Sequence, residues 1–182
     1  SGYSTVFHNA VTLAHDSGIA VIASAGNNAN TQFMYPASYK HVISVASSAQ
    51  SDAKSSFSTY NDSVDITAPG SAIYSIQART TSNTSYSNKS GTSMACPMVA
   101  GVAALMLSKN PSLTPDQLEA CLKSGADDIT TQNPTSAWGL GAGRLNAYQS
   151  LQCVKSVLAK ITVDKTTTCA GDTLYFSDSS SK

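Results

Sequence analysis

Apolar and polar positions along this chain are spaced as in a domain built from both strands and helices. Residues 19–23 form a continuous apolar run, which is typical of a parallel strand buried on both faces. Residues 4–16 repeat apolar positions at helical spacing, and Gly18 follows where a helix often ends. Residues 98–107 are apolar on nearly every side, which predicts a fully buried core helix.

The remaining elements follow from the same kinds of pattern. Further strands are expected at residues 42–45 and 65–67, and further helices at residues 93–108, 115–124 and 142–154. Thr114 and Pro115 fit the cap and the first helical position of the helix at 115–124. Strands that alternate with helices favour an α/β fold of three layers, in which a mostly parallel sheet lies between helices.

The pattern changes after residue 155. Residues 160–165 and 173–178 alternate in the manner of short strands, with a turn at Gly171 and Asp172 between them. The run that begins at Cys169 resembles the first strands of a PKD-type or other immunoglobulin-like module, although roughly 25 residues cannot close a β-sandwich. We therefore expect a main domain at 1–155, and a linker with the first strands of a second module at 156–182.

The charge of the chain is low and balanced, with 11 basic and 11 acidic residues among 182. This balance offers no basic surface for nucleic acid or for an anionic membrane, so neither is expected as a partner. No apolar run approaches the roughly 18 residues that a membrane span needs. The low content of Lys and Glu, with many Ser and Thr residues, is compatible with a secreted protein.

Ser93 is the candidate nucleophile. It lies at the amino end of the predicted core helix, in Gly91-Thr92-Ser93-Met94-Ala95, where small neighbours leave room for a substrate carbonyl. The positive end of the helix dipole favours the negative charge that develops there. Serine is also a preferred helix cap, so this short segment alone leaves both interpretations open. Ala95 excludes the Gly-x-Ser-x-Gly turn of α/β-hydrolases, which needs glycine at that position.

Asn27 is the candidate oxyanion donor. It follows the first apolar run, in Ser24-Ala25-Gly26-Asn27-Asn28, and is expected at the carboxyl end of a strand. A side-chain amide there can donate a hydrogen bond to the oxyanion of an acyl-transfer reaction. Asparagine after a strand also commonly forms a polar turn, which is the alternative interpretation.

Both segments, in this order, resemble the subtilisin-like serine proteases, or subtilases. Residues 90–101 read Ser-Gly-Thr-Ser-Met-Ala-Cys-Pro-Met-Val-Ala-Gly, and Ala25-Gly26-Asn27 precedes them. Three further segments extend the resemblance over roughly residues 1–150: Tyr35-Pro36-Ala37, Phe57-Ser58 and Ala68-Pro69-Gly70. The resemblance implies a serine endopeptidase that cleaves peptides or proteins through an acyl-enzyme on Ser93. Asn27 and the backbone N–H of Ser93 would bind the oxyanion.

The resemblance also implies where the substrate side chain binds. Ser24, Ala25 and Gly26 would form one wall of the pocket for the residue before the scissile bond. Met34 stands where relatives with a deep pocket have glycine, so it would shorten the pocket. Because methionine is adaptable, we expect a preference for medium-sized apolar residues.

A calcium site is implied by the resemblance to proteinase-K-like subtilases. Its ligands would be the backbone carbonyls of Lys40 and Val42 and a carboxylate oxygen of Asp65. Hard oxygen ligands suit Ca²⁺, with water at the remaining positions. Ser63 stands where some relatives have an acidic ligand, which lowers the expected affinity. The alternative is that Asp65 only accepts backbone amides in a turn.

The base and the carboxylate of a catalytic triad are not evident in the sequence. Subtilases carry them earlier than the serine, in Asp-(Ser/Thr)-Gly and His-Gly-Thr motifs, but none of His8, His15 and His41 precedes Gly-Thr. Asp16-Ser17-Gly18 spells the first motif, yet it ends a predicted helix, so we interpret it as a helix terminus. The chain is therefore expected to be the carboxyl-terminal part of a catalytic domain. We expect it to be inactive without the amino-terminal half.

Four cysteines refine this interpretation. Cys96 falls in the predicted core helix and is expected to be a small buried residue, not a second nucleophile. Cys121 and Cys153 fall on two helices that could pack together, and a disulfide between them would suit an oxidising compartment. Cys169 is expected to lack a partner. No paired Cys or His spacing typical of a zinc site is present.

Two other functions stay open. The chain could be a non-catalytic remnant that acts as a binding or decoy module. It could also support an adhesive β-sandwich that begins in the carboxyl-terminal tail. Triad motifs upstream in the full reading frame would favour the protease over both alternatives.

Overall fold

The computed structural model describes residues 2–77 and 85–154, and the backbone of two short strands at 161–163 and 176–178. The helices are α1 (Thr5–Asp16), α2 (Thr92–Lys109), α3 (Pro115–Ser124) and α4 (Ala147–Cys153), with a 3-10 turn at Ala137–Gly139. The strands are β1 (Val21–Ser24), β2 (Val42–Ser48), β3 (Ile66–Pro69), β4 (Ile73–Ile76), β5 (Tyr86–Lys89), β6 (Ile161–Val163) and β7 (Phe176–Asp178).

The central sheet is parallel, with the order β1-β2-β3. Val21 lies beside Val42, and Val45 lies beside Ile66. This confirms the α/β class with a parallel sheet. All seven residues of the middle strand β2 are buried, whereas β1 is only half-buried. The expectation that β1 is buried on both faces is therefore wrong for the described residues, among which β1 is also an edge strand of the sheet.

Side chains of β2 alternate between two core clusters, because successive residues of a strand point to opposite faces. Val45 belongs to the larger cluster and Ala46 to the smaller. The larger cluster joins the sheet to the helices through Ile43, Val45, Ile66, Ala68, Ala95, Val99, Val102, Ala103, Met106, Leu118, Cys121, Leu122 and Val154. The smaller comprises Ala25, Ala46, Val64, Ile129 and Leu140, with Tyr60 packed against it.

Helix α2 is buried on one side only. Val99 and Met106 are fully buried, but Met98 is 40% and Leu105 54% exposed, so the expectation of a fully buried helix is wrong for the described residues. The 18 residues of α2 have a mean hydropathy of 1.3, enough for a membrane span by length and composition. The expectation that no apolar run approaches that length is therefore also wrong. Packing of the buried side of α2 on all three strands of the sheet accounts for its apolar character.

Helices α3 and α4 begin at polar caps. The hydroxyl of Thr114 accepts a hydrogen bond from the Gln117 amide at 3.2 Å, and the Gln117 side chain accepts one from the Thr114 amide at 3.0 Å. The Asn146 side chain accepts a hydrogen bond from the Gln149 amide at 3.1 Å, which starts α4. Helix α3 begins where the sequence predicts, whereas α4 begins several residues later than the predicted start at 142.

The segment before α4 pairs with β3 instead of joining the helix. The Thr67 amide donates to the Gly143 carbonyl at 2.8 Å, and the Leu145 amide donates to the Thr67 carbonyl at 2.7 Å. On the other side, Asp127 and Arg144 exchange two backbone hydrogen bonds of 2.8 and 2.9 Å. These pairings require extended backbone, which is why residues 142–145 are not helical.

The predicted disulfide is present between Cys121 of α3 and Cys153 of α4, with their Cα atoms 5.5 Å apart. Cys96 is a free thiol of intermediate burial, so the expectation of full burial is only partly met. Burial raises the pKa of the Cys96 thiol, which disfavours the nucleophilic thiolate. Cys169 lies outside the described residues.

Two antiparallel pairs complete the described strands. Strands β4 and β5 form one pair that the sequence pattern does not predict, with Ile73 opposite Lys89. The exposed rings of Tyr74 and Tyr86 stack across it at 5.7 Å. Strands β6 and β7 form the other pair and fall within the expected strands at 160–165 and 173–178. The expected boundary between two domains at residue 155 stays a prediction.

Candidate active site

Asn27 and Ser93 come together at the carboxyl end of β1. Strand β1 ends at Ser24, shortly before Asn27, and α2 begins at Thr92. The Thr92 amide and the Thr92 hydroxyl both donate to Asn27 Oδ1, each at 2.9 Å. Because the carboxamide oxygen is the acceptor in both bonds, the donor that Asn27 can offer a ligand is Nδ2. Ser93, the next residue after Thr92, is exposed.

Thr92 anchors this junction. Its side chain is fully buried, and its hydroxyl also accepts a hydrogen bond from the Gly26 amide at 3.2 Å. The hydroxyl therefore links two consecutive residues after β1 to the first turn of α2. This link sets the position of Asn27 relative to Ser93.

The turn before Ser93 is held against the end of β3. The Gly91 amide donates to the Gly70 carbonyl at 2.8 Å. A Cβ on Gly70 would lie 2.7 Å from the Gly91 carbonyl oxygen and would also collide with Ser47 Oγ. Only glycine at position 70 allows this close approach, so the small residue there supports the turn that carries Ser93.

Two hydrogen-bond donors, Asn27 Nδ2 and the Ser93 amide, lie beside the open space next to Gly91. The position that a Cβ on Gly91 would take lies 3.5 Å from Asn27 Nδ2 and 3.6 Å from the Ser93 amide nitrogen. The Ser93 amide belongs to the first turn of α2, where amides have no partner within the helix. The positive end of the helix dipole adds to the attraction for an anion. This arrangement can bind an oxyanion formed next to Ser93.

Met34 lies against the predicted wall of the substrate pocket. A Cβ on Gly26 would lie 3.0 Å from Met34 Cγ and 3.1 Å from Thr59 Oγ1. Ala25 is buried and donates its amide to the Val45 carbonyl at 2.9 Å, whereas Ser24 ends β1. The structure therefore brings Met34 beside Gly26, the last residue of the predicted wall.

All three histidines of the chain are described, and their contacts lie elsewhere than Ser93. His8 stacks on Tyr39 with ring centroids 5.3 Å apart. His15 and His41 contact each other, with ring centroids 4.0 Å apart. His15 and Asp16 end α1, in agreement with the interpretation of Asp16-Ser17-Gly18 as a helix terminus. No described histidine is placed to accept the Ser93 proton.

The three predicted calcium ligands, Lys40, Val42 and Asp65, line one cavity of about 540 Å³. Ser63 also lines it, and its hydroxyl is hydrogen-bonded to the Ser38 hydroxyl at 2.8 Å. Ser93 and Asn27 are not among the residues that line this cavity. The structure therefore brings the proposed metal ligands together, at a place separate from the candidate nucleophile.

The Lys123 ammonium lies beside the Asp65 carboxylate, where a bound cation would also have to lie. The ammonium lies 3.0 Å from Asp65 Oδ1 and 3.1 Å from Glu119 Oε1, and the Ser44 amide donates to Asp65 Oδ2 at 2.9 Å. Burial opposes the charge of Lys123, but hydrogen bonds from Lys123 to the two carboxylates outweigh it and raise the pKa of Lys123. The oxygen donors suit Ca²⁺, but the ion would have to displace this ammonium.

Sequence reasoning does not single out Thr92, Gly70 or Lys123. Thr92 directly precedes Ser93 in the nucleophile motif, and this position is the feature of the sequence that points to Thr92. Lys123 follows Glu119 by four residues on α3, which is the spacing of a helical ion pair. Its contact with Asp65 joins distant parts of the chain and leaves no such pattern.

Comparison with known proteins shows which family is similar to this chain. The family model described as the subtilase family matches residues 1–143. Thermitase from Thermoactinomyces vulgaris is 46% identical over 143 residues, which cover 79% of this chain and 48% of thermitase. An extracellular protease from Xanthomonas campestris pv. campestris is 40% identical over 149 residues, which cover 79% of this chain and 25% of that protease.

Solved structures show the same similarity. A protease from Pseudoalteromonas arctica superposes with a TM-score of 0.78 at 30% identity, over 85% of this chain and 48% of that protein. The structure of the patellamide maturation protease PatA superposes with a TM-score of 0.72 at 29% identity, over 84% of this chain and 57% of that protein. The chain thus spans about half the length of these two structures and of thermitase.

Proposed function

Since the chain belongs to the subtilase family, we propose that it carries the nucleophile and the oxyanion donor of a serine endopeptidase. One observation carries this proposal: the two hydrogen bonds from Thr92 to Asn27 Oδ1 place the Asn27 carboxamide beside the turn that bears Ser93. Asn27 Nδ2 and the Ser93 amide nitrogen lie near the same open position at Gly91, and Ser93 itself is exposed.

In the proposed reaction, Ser93 Oγ attacks the carbonyl carbon of the scissile peptide bond and gives its proton to a histidine base. The carbonyl electrons move to the oxygen, which accepts hydrogen bonds from Asn27 Nδ2 and the Ser93 amide. The tetrahedral intermediate then expels the amine, which takes the proton from the base. Water hydrolyses the remaining ester on Ser93 by the same steps.

The base and its carboxylate are proposed to belong to an amino-terminal half of the catalytic domain that this chain does not include. The contacts of His8, His15 and His41 support this, because none of them involves Ser93. The chain also covers only 48% of thermitase. Without a base, a serine hydroxyl is a weak nucleophile, so we expect the chain alone to be inactive.

The substrates are proposed to be peptides or proteins with a medium-sized apolar residue before the scissile bond. Ser24, Ala25 and Gly26 would form one wall of that pocket, and Met34 lies against Gly26. The substrate backbone would bind by strand addition along the cleft, which tolerates many sequences.

Calcium would be held by the carbonyls of Lys40 and Val42 and by Asp65, which line one cavity. When bound, the ion would supply a structural link between the turn before β2 and the start of β3, with no part in peptide hydrolysis. Since Lys123 lies 3.0 Å from Asp65 Oδ1, we propose that calcium binds only weakly while this lysine is present.

We propose that the protein is secreted. The Cys121–Cys153 disulfide suits an oxidising environment, and the similar protease of Xanthomonas campestris is named extracellular. We also propose that residues 156–182 begin a separate β-module of PKD or immunoglobulin type. The antiparallel pair of β6 and β7 supports that proposal.

Labelling with a fluorophosphonate probe tests the proposed function. In the protein that includes the base-bearing half, we expect the probe on Ser93, identified by peptide mass spectrometry, and no labelling of Ser93→Ala. Ser90→Ala is the matched control, because Ser90 lies in the same turn and accepts a hydrogen bond from the Ala72 amide. Labelling that persists in Ser93→Ala, or its absence in the complete protein, would contradict the proposal and favour a non-catalytic binding module.

A further inference from the structure

We propose that His15, His41 and Asp116 form a binding site for a divalent transition-metal ion such as Zn²⁺, separate from the candidate active site. His15 lies in the last turn of α1, His41 in the turn before β2, and Asp116 in the first turn of α3. One possible ligand atom from each residue lies within 4.8 Å of those of the other two. Because the residues are distant in sequence, no Cys or His spacing predicts this site.

The cluster is close to the geometry that zinc needs. His15 Nε2 lies 2.9 Å from Asp116 Oδ1, and the rings of His15 and His41 are 4.0 Å apart. Bonds of about 2.0–2.1 Å to a tetrahedral zinc ion place two ligand atoms about 3.3 Å apart. The most distant pair therefore has to close by at most about 1.5 Å, which side-chain rotation can supply.

A second carboxylate orients His15. Asp16 Oδ1 lies 3.3 Å from His15 Nδ1, while Nε2 of the same ring faces Asp116. Histidines that bind metals usually donate their other ring N–H to a carboxylate or a carbonyl. Asp16 thus gives His15 the arrangement of a metal ligand, with Nε2 directed into the cluster.

The donor set selects the class of metal. Two imidazoles and one carboxylate suit zinc and its neighbours in the first transition series, whereas calcium prefers oxygen ligands alone. Three protein ligands leave a position for water. His41 and Asp116 also line the cavity of about 540 Å³, which gives an ion access from solvent. Lys40 lines the same cavity, and its positive charge would repel the bound cation. The negative charge of Asp16, which lies beside His15, partly offsets this repulsion.

The consequence of such a site is structural. No residue of α1, all of which the structure describes, is buried, and Val6, Phe7 and Leu13 are 78%, 68% and 69% exposed. In the 182-residue chain on its own, helix α1 is therefore held by few contacts. A metal ion at its last turn would tie α1 to α3 and to the turn before β2. We expect zinc to slow hydrogen exchange of the α1 amides, while amides of the buried strand β2 change little.

Titration with Zn²⁺ alone, followed by hydrogen exchange and by competition with a fluorescent zinc indicator, tests this proposal. The variants His15→Asn, His41→Asn and Asp116→Asn should each weaken zinc binding at least tenfold and abolish the protection of α1. Asparagine suits position 41, because His41 has a φ of 68°, which asparagine tolerates. His8→Asn is the matched control, since His8 is the one histidine outside the cluster.

All titrations use the 182-residue chain with Cys96→Ala, which removes the free thiol found among the described residues. Melting curves in EDTA establish that each variant folds as the parent does. The proposal is overturned if zinc does not bind saturably, or if the three cluster variants bind it as the parent does. An equal loss in His8→Asn would overturn it as well, because binding would then be adventitious.

Discussion

The carboxamide oxygen of Asn27 accepts two hydrogen bonds from Thr92, one from the amide and one from the hydroxyl, each 2.9 Å long. The two residues are 65 positions apart in the chain, so these bonds join the end of β1 to the start of α2. They direct the oxygen of the carboxamide toward Thr92 and leave its amide protons for a ligand. Donors that are fixed before the reaction are the most effective at stabilising an oxyanion.

Replacing Asn27 with leucine removes the proposed donor at nearly constant size. We expect kcat for a peptide substrate of the complete protein to fall by roughly 10²-fold, or about 3 kcal/mol, the general cost of losing one oxyanion donor in this class of enzyme. KM should change little, because the charge develops only in the transition state. Asn28→Leu, at the neighbouring exposed residue, is the control. An unchanged kcat in Asn27→Leu, or an equal loss in the control, argues against this role.

Thr92→Val tests the positioning of Asn27. The change removes the hydroxyl that contacts Asn27 Oδ1 and Gly26 but keeps the branched shape. We expect kcat to fall about tenfold, with KM unchanged, because Asn27 Oδ1 loses one of its two hydrogen bonds and keeps the one from the Thr92 amide. Thr92→Ser restores the hydroxyl and should recover most of kcat. If serine does not recover it, Thr92 acts through packing and not through its hydrogen bonds.

Replacing Lys123 with methionine tests the calcium proposal. The variant removes the ammonium 3.0 Å from Asp65 Oδ1 and leaves the carboxylate free for a cation. Millimolar calcium should then raise the melting temperature of Lys123→Met more than that of the parent. The double variant Lys123→Met with Asp65→Asn should lose this response. The calcium proposal fails if Lys123→Met melts at the same temperature with calcium and with EDTA.

The lowered pKa of Asp127 predicts that the stability of the protein depends on pH. A hydrogen bond from Asn146 at 2.9 Å and the guanidinium of Arg144 lower the pKa of Asp127. A carboxyl whose pKa is lowered by folding stabilises the protein above its unfolded value, about 3.9, and loses this effect as the pH falls through the folded value. Because the pair is partly exposed, its contribution is below about 1 kcal/mol.

Urea unfolding of Asp127→Asn at several pH values measures this contribution. The variant should be less stable than the parent near neutral pH, and the difference should shrink as the pH falls below about 4. Asp62→Asn, an exposed carboxylate outside this network, serves as the control. A difference that stays constant down to low pH would show that ionisation of Asp127 is not its cause.

Much of the fold can be predicted from the sequence, because the elements that build the core carry a burial pattern. Strand β2 and helix α3 begin at the predicted residues, and Thr114 caps α3 as expected. The pair of β4 and β5 carries no such pattern, since Tyr74 and Tyr86 are exposed. The start of α4 depends on the pairing of Leu145 with Thr67, a contact between distant residues that local periodicity does not contain.

The candidate site could be predicted to a similar extent. Ser93 and Asn27 stand in short motifs at the start of a helix and the end of a strand, so their types and places are visible in the sequence. The bonds from Thr92 to Asn27 are not visible, because in the sequence a threonine at the start of a helix has the same appearance as an ordinary cap. The ammonium of Lys123 at Asp65 joins residues 58 positions apart, which only the folded chain brings together.

The central claim is that Asn27 stabilises the negative charge that forms on the substrate carbonyl oxygen when Ser93 attacks. A crystal structure of the complete protein with a phosphonate bound covalently to Ser93 tests it most directly. We predict that the phosphonyl oxygen lies about 2.7–3.1 Å from both Asn27 Nδ2 and the Ser93 amide nitrogen. A phosphonyl oxygen that points away from Asn27, or an adduct on another residue, would contradict the account.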